Sequence, residues 1–309
     1  MISRPFERES DMSEVLALLL TCKNAETIDC FLPFHLRLIL TPHSFLTTNT
    51  LNLSTDVRVW EETDGKIVGF ALIDMSVWGL HYLVAPSGEG GQLEQDILSW
   101  ALHRITEIVQ GKDHRLTCAN VRADNERRIS SLEQAGFFCG DACGLRMARD
   151  LGESLDRPQV PPGFAIRHLS GNAEVPAYVD LVNDIFTNAT SVDTHRDWMS
   201  APEYIAELDF VAVTDDQSLV GFCQTYFDPL EIENSKRKEG WTDPIGVRKQ
   251  YRNRGLARAI LLEALHRLRN AGIEDAVLYV GGRNTAAQSL YESVGFSTRY
   301  KTFEYHKQL

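Results

Sequence analysis

The segment from Asp243 to Arg258 (DPIGVRKQYRNRGLAR) has the residue types and order of an anion site. An apolar strand, Ile245-Gly246-Val247, runs through Arg248, Lys249, Gln250 and Tyr251 into Arg252, Asn253, Arg254, Gly255, Leu256 and Ala257. After it, Ile260, Leu261, Leu265 and Leu268 recur as one face of a helix. A strand that ends in a glycine-bearing turn and opens a helix aims several unpaired backbone N–H groups at one spot, where phosphate oxygens accept them. Gly255 lets a ligand come close to the backbone, and Ala257 keeps the first turn uncrowded, so a pyrophosphate has room. Ten Lys or Arg lie between Lys236 and Arg269, opposed within that span by Glu239, Asp243 and Glu263. A solvated helix face after an ordinary turn has a similar composition; the spacing Arg-x-x-Gly-x-Ala behind a strand leans toward the anion site.

Asn284 and Tyr291 lie two helical turns apart and so project from one face. A tyrosine there serves either core packing or chemistry. With a reference pKa of about 10 its hydroxyl is protonated at neutral pH and can donate.

The elements that carry these residues occur twice. VRVWEETDGKIVGF (57 to 70) and FVAVTDDQSLVGF (210 to 222) both read as strand, turn and strand and share a Val-Gly-Phe ending. HYLVAPSGEGGQLEQDILSWALHRI from His81 parallels DPIGVRKQYRNRGLARAILLEALHRLRNAG from Asp243 as strand, glycine turn and helix. NERRISSLEQAGF from Asn125 and NTAAQSLYESVGF from Asn284 keep Asn, Gly and Phe at identical offsets. Three matches in the same order indicate an internal duplication. Between the copies, DLGESLDRPQVPPG (Asp150 to Gly163) has three prolines and no periodicity. This predicts domains at 1–150 and 163–309 joined by a linker at 151–162. Each is expected to begin with helices, clearest at Asp11 to Thr21 and Glu174 to Phe186. A hairpin and then alternating strands and helices follow, which makes an α/β fold with a mixed sheet covered on both faces.

Composition removes several classes. The 309 residues carry 43 acidic against 31 basic side chains, a net charge of −12, with the excess of acid in both halves. Nucleic acid and anionic membrane are therefore poor partners for the whole molecule. No apolar run reaches the roughly 20 residues that cross a bilayer, and Val15 to Leu20 follows acidic rather than basic residues, which speaks against export and for a cytoplasmic protein. The six cysteines (Cys22, Cys30, Cys118, Cys139, Cys143, Cys223) form no Cys-x-x-Cys pair, so reduced thiols and no metal are expected.

IGVRKQYRNRGLARAILLEAL and GGRNTAAQSLYESVGF, with the hairpin before them, resemble the GNAT N-acetyltransferase superfamily, and the whole chain resembles a tandem member with two such domains. The resemblance implies two splayed parallel strands holding acetyl-CoA, with Ile245, Gly246 and Val247 along the cofactor. The pyrophosphate would sit on the turn Arg252, Asn253, Arg254, Gly255, Leu256, Ala257 and Arg258, Asn284 would touch the cofactor, and Tyr291 would protonate the departing thiolate. Acetyl transfer also needs a neutral amine, hence a base. Asp243 shares a strand face with Ile245 and Val247; Glu239 and a water chain compete for the role. The acceptor is expected to be a small-molecule primary amine, and a cationic one suits the net charge. In the first copy the turn reads Ser87-Gly88-Glu89-Gly90-Gly91-Gln92-Leu93, where Glu89 would repel phosphate, and Leu132 stands in the place of Tyr291, although Gly91 and Asn125 remain. That domain is expected to be structural or to shape the substrate site. A non-catalytic acyl-CoA-binding or regulatory protein is the alternative, and oligomeric state is not legible.

Overall fold

The computed structural model describes residues 1–27, 33–40, 51–75, 77–109, 113–186, 190–235 and 237–309. The chain divides into two compact units, residues 1–145 with 300–309, and residues 146–299. The strand Phe138–Asp150 leads out of the first unit, and the strand Ser297–Gln308 leads back into it.

In the first unit, the sequence 57 to 70 makes the expected hairpin: Val57–Glu61 pairs antiparallel with Ile67–Asp74, from Val57↔Leu72 onward. Gly79–Val84 adds to its other side antiparallel, and Ile2–Pro5 lies along Val57–Glu61. Arg115–Arg122 runs parallel to Gly79–Val84 and is bordered by the C-terminal strand, antiparallel from Thr302↔Arg122 to Gln308↔Arg115. Ile67–Asp74 is buried at every residue but the last, as an unbroken apolar run covered on both faces must be. Ala71 and Ile73 meet Ile97, Leu98, Ala101 and Ile105 of the helix Gln92–Val109, and the helix Arg8–Asn24 also packs on this strand.

The second unit holds a four-stranded antiparallel sheet in the order Ile245–Val247, Leu219–Gln224, Asp209–Thr214, Phe164–His168. Strand alternation divides its core. Val211, Val213 and Phe222 meet Tyr178, Leu181 and Val182 of the helix Val175–Phe186. On the opposite face, Phe210, Ala212, Cys223 and Val247 meet Leu256, Ile260 and Ala264 of the helix Leu256–Asn270. Both units are thus mixed α/β arrangements, as the alternation of strands and helices predicts. The sequence pattern did not foretell the helices Pro33–Ile39, Leu53–Asp56, Val192–Ser200 and Pro229–Asn234 or the strand Ile2–Pro5. Cys118, Cys139, Cys143 and Cys223 are free thiols, Cys22 is buried, and Cys30 lies outside the described residues. No described helix is long and apolar enough to cross a membrane.

The element that positions the site is the segment from Glu239 to Val247. Its first part, Glu239–Trp241, pairs parallel with Asp275–Gly281, ending at Trp241↔Val277. Thr242 then donates its N–H to Val277 O at 3.1 Å. Beyond Asp243, joined to Pro244 by a cis peptide bond, Ile245–Val247 pairs antiparallel with Leu219–Gln224. The two parallel strands part at Asp243.

Gly246 is set by how tightly this strand is overlaid. A Cβ there would lie 2.8 Å from Ile185 Cγ2 and 3.2 Å from Phe222 Cε1. Gly246→Val should therefore destabilise the protein by about 1–3 kcal/mol through overpacking. Adding Ile185→Ala should restore part of that loss in urea unfolding, whereas strictly additive losses would show that this contact is not the cause.

Candidate active site

In the antiparallel ladder, Gln224 N donates to Pro244 O at 3.0 Å and Arg248 N to Val220 O at 2.9 Å. Bonding directions alternate along such a strand. The N–H groups of Ile245 and Val247 consequently point away from Leu219–Gln224, toward the side from which Asp275–Gly281 has parted. Val247 O faces that side too and accepts from Arg252 Nε at 2.8 Å.

The strand then enters a tight turn. Lys249–Tyr251 forms one 3-10 turn, Asn253 and Gly255 take left-handed φ values of 60° and 81°, and the helix Leu256–Asn270 begins. Among the described residues no side chain caps that helix start. A Cβ on Gly255 would meet nothing within 4 Å, so backbone conformation and not crowding calls for glycine here. The arginines behave individually. Arg254 lies 5.7 Å from the Tyr251 ring centroid and donates to Gln250 O. Arg258 pairs with Asp156 at 2.7 Å, and Arg248 with Asp180 and Asp184 at 2.5 and 2.8 Å. The basic excess counted along the segment is thus partly neutralised by carboxylates from elsewhere in the unit.

Tyr291, only 5% exposed, is on the helix Thr285–Ser293. Asn284 caps that helix, its Oδ1 accepting from Ala287 N at 3.2 Å, and Asn125 does the same for Glu126–Gln134 at Arg128 N. Capping explains why the two asparagines keep one offset. Burial first, and then the neighbouring Cys223 and Asp243, push the Tyr291 phenol above its usual range. Asp243 stands at the parting of the strands and reaches across it: its Oδ2 accepts from Tyr279 N at 3.2 Å. Cys223 is buried, with Sγ 3.5 Å from Thr225 Oγ1, and burial pushes its thiol up to about 12. It is a thiol at neutral pH, a poor nucleophile. Glu239, the competing carboxylate, accepts from Arg146 Nη2 at 2.8 Å and from Arg299.

Asp243 lies near enough to Tyr291 to act electrostatically on its phenol, and Ile245, Gly246, Val247 and the 252–257 turn follow one another from strand to helix start. Arg258 is turned to Asp156. Sequence reasoning missed Cys223, which carries no local signal, and Trp241 and Tyr279, which flank Asp243 on the two parting strands. It also missed Arg146, whose guanidinium lies 4.0 Å from the Trp241 ring centroid.

The corresponding place in the first unit is filled by the chain itself. Gly79–Val84 and Arg115–Arg122 pair at Gly79↔Thr117, and Arg128 Nη2 donates to Tyr82 O at 2.9 Å with its guanidinium 3.7 Å over the Tyr82 ring. Tyr82 OH donates to Glu94 Oε1 at 2.7 Å, and Gly90 N to Glu94 Oε2 at 2.8 Å. A protein carboxylate thus lies at the helix start in the first unit, held by the turn that precedes it. Leu132, at the place matching Tyr291, is fully buried.

Residues 176–296 match the family profile described as Acetyltransferase (GNAT) family. A mycothiol acetyltransferase from Thermobispora bispora is 31% identical over 170 residues, covering 53% of this chain and 57% of that relative. The chain thus matches under two thirds of that relative's length. In fold, the chain is similar to a GCN5-related N-acetyltransferase from Sphaerobacter thermophilus, with TM-score 0.74, 20% identity, and 99% and 95% of the two chains covered. It is also similar to a tandem GNAT protein from the clavulanic acid biosynthesis pathway, with TM-score 0.71, 15% identity, and 99% and 98% covered.

The raised phenol has a thermodynamic consequence. Above pH 10 the unfolded Tyr291 releases its proton while the folded one keeps it, so the folded state binds more protons and stability falls as pH rises from about 10 toward the folded value. Tyr291→Phe should flatten the decline of Tm between pH 9.5 and 11. An unchanged slope would mean that the hydroxyl ionises normally.

Proposed function

We propose that this chain, whose residues 176–296 match the GNAT acetyltransferase family profile and whose fold is similar to that of a tandem GNAT protein, is an acetyl-CoA-dependent N-acetyltransferase acting on a small-molecule primary amine. One observation carries the reading: where the strands part, backbone N–H groups, a helix start without a side-chain cap, a carboxylate and a buried phenol follow one another within the second unit. Those features fit acetyl-CoA. The N–H groups of Ile245 and Val247 suit an extended amide-bearing arm, and the turn Arg252–Ala257 suits its phosphates. Acetyl-CoA supplies the acetyl group as a thioester.

In this reading the acceptor nitrogen is held neutral and beside the acyl carbon, and Asp243 takes its proton, directly or through one water. Asp243 is preferred over Glu239 because Glu239 is engaged by two arginines. The strand N–H groups near Val247 stabilise the acyl oxygen as it gains charge. As the carbon–sulfur bond breaks, the Tyr291 hydroxyl gives its proton to the sulfur, and the raised phenol ensures that the proton is present. Transfer is direct, because the Cys223 thiol is held protonated and cannot serve as an acyl carrier. The first unit takes no CoA in this scheme, since Glu94 and Arg128 occupy the place it would need; it shapes the fold or the substrate site.

Titration calorimetry should find one CoA per chain. Gly255→Glu should abolish that binding, at a cost of about 1–2 kcal/mol to folding from the left-handed φ, while Gly91→Glu leaves affinity nearly unchanged; equal losses would remove the asymmetry between the units.

Tyr291→Phe should lower kcat by roughly 10² to 10⁴ with CoA affinity intact, and the deficit should shrink as pH rises toward about 8.5, where a thiolate leaves unaided. Wild-type turnover in this variant would take Tyr291 out of the mechanism, and CoA binding without turnover of any amine would favour a non-catalytic acyl-CoA-binding protein.

A further inference from the structure

Five aromatic side chains of the second unit make a continuous wall that ends at the proposed reaction centre. Trp198 lies edge-on to Tyr204 and to Tyr226, with centroids 5.8 and 5.9 Å apart. Tyr226 is parallel to Trp241 within 6° at 6.2 Å, and Trp241 is 6.0 Å from Tyr279. Tyr279 is the residue whose N–H meets the Asp243 carboxylate. Trp241 is buried, but Trp198, Tyr204, Tyr226 and Tyr279 are half-buried. Rings that keep part of their surface in water beside a reacting carboxylate are what a ligand with an apolar body would cover.

The wall is anchored. Tyr204 OH donates to Asp209 Oδ2 at 3.2 Å, and the buried His195 meets the same oxygen at 3.2 Å while lying tilted by 31° against Tyr178 with centroids 4.3 Å apart. Since His195 and Trp198 lie one turn apart on the helix Val192–Ser200, this buried contact fixes the helix that carries Trp198.

Charge decides what the wall takes. The net charge of −12 favours a polycationic acceptor, but the cation position against these rings is already held: Arg146 lies 4.0 Å from the Trp241 centroid and 5.4 Å from that of Tyr279. Arg146, itself paired with Glu239, fills the cation–π seat on those rings, so the extra ammonium groups of a polycation gain no such contact from them. We propose, on the basis of the transfer reading above, that the acceptor is a primary amine on an apolar ring, an arylalkylamine in class, whose ring lies against the half-buried Trp198 and Tyr226 with its nitrogen at Asp243.

The full chain is assayed with acetyl-CoA and three amines: 2-phenylethylamine, spermidine and glucosamine. The expected result is kcat/KM for 2-phenylethylamine at least ~10-fold above the other two. Trp198→Ala should raise its KM by ~10-fold with the KM for acetyl-CoA within twofold, and Trp198→Phe should recover most of the loss. Should Trp198→Ala fail to fold by circular dichroism, Tyr226→Leu takes its place. Preference for spermidine or glucosamine, or a variant that weakens all three amines and acetyl-CoA alike, overturns the wall and leaves the transfer reading standing. If no amine is acetylated, saturation-transfer NMR of 2-phenylethylamine in the presence of CoA decides. A signal lost in Trp198→Ala supports the subsite while the transfer reading fails, and absence of any signal overturns the subsite.

Discussion

Two neighbouring parallel strands that part leave backbone donors and acceptors that the sheet no longer satisfies. In the second unit the parting begins after Trp241↔Val277, and what lies around it answers that need. Asp243 bridges to Tyr279 N, Arg252 comes back to Val247 O, and the N–H groups of Ile245 and Val247 remain turned to the open side. The same segment stays anchored because its other edge is fully engaged with Leu219–Gln224 and because helices cover both faces of that sheet. A rigid fork with polar groups along it is what a ligand-binding path requires, and loops alone would hold it less well.

The first unit meets the same problem with its own side chains. Arg128 supplies a donor to Tyr82 O, and Glu94 supplies the anion at a helix start, linked to the guanidinium through the Tyr82 hydroxyl and ring. A buried guanidinium and carboxylate tolerate this setting because each is hydrogen-bonded. One ancestral plan therefore has two stable forms, one completed from within and one left open at the fork.

Legibility followed locality. The strand, turn and helix from Ile245 to Asn270 were readable because glycine placement and helical periodicity are near-neighbour effects, and the Asn125 and Asn284 offsets persisted because an N-cap acts within one turn. The basic residues counted around Arg248 and Arg258 gave no sign of their partners, since Asp180, Asp184 and Asp156 reach them only through the fold. Arg146 and Cys223 reach the site by topology and left no trace in spacing. The helix Val192–Ser200 was missed because VDTHRDWMS has too few apolar residues for a period; its start is written in the Ser191 and Thr194 capping box instead.

The C-terminal strand has a consequence for how the chain is made. Arg115–Arg122 gains its second neighbour only from Thr302 through Gln308, residues that follow the whole of 146–299 in synthesis. Until they emerge from the ribosome, a strand bearing Leu116, Cys118 and Val121 has an open edge, the kind of surface on which nascent chains aggregate or recruit chaperones. The unit whose synthesis begins first therefore cannot be completed until residues 302–308 have been made.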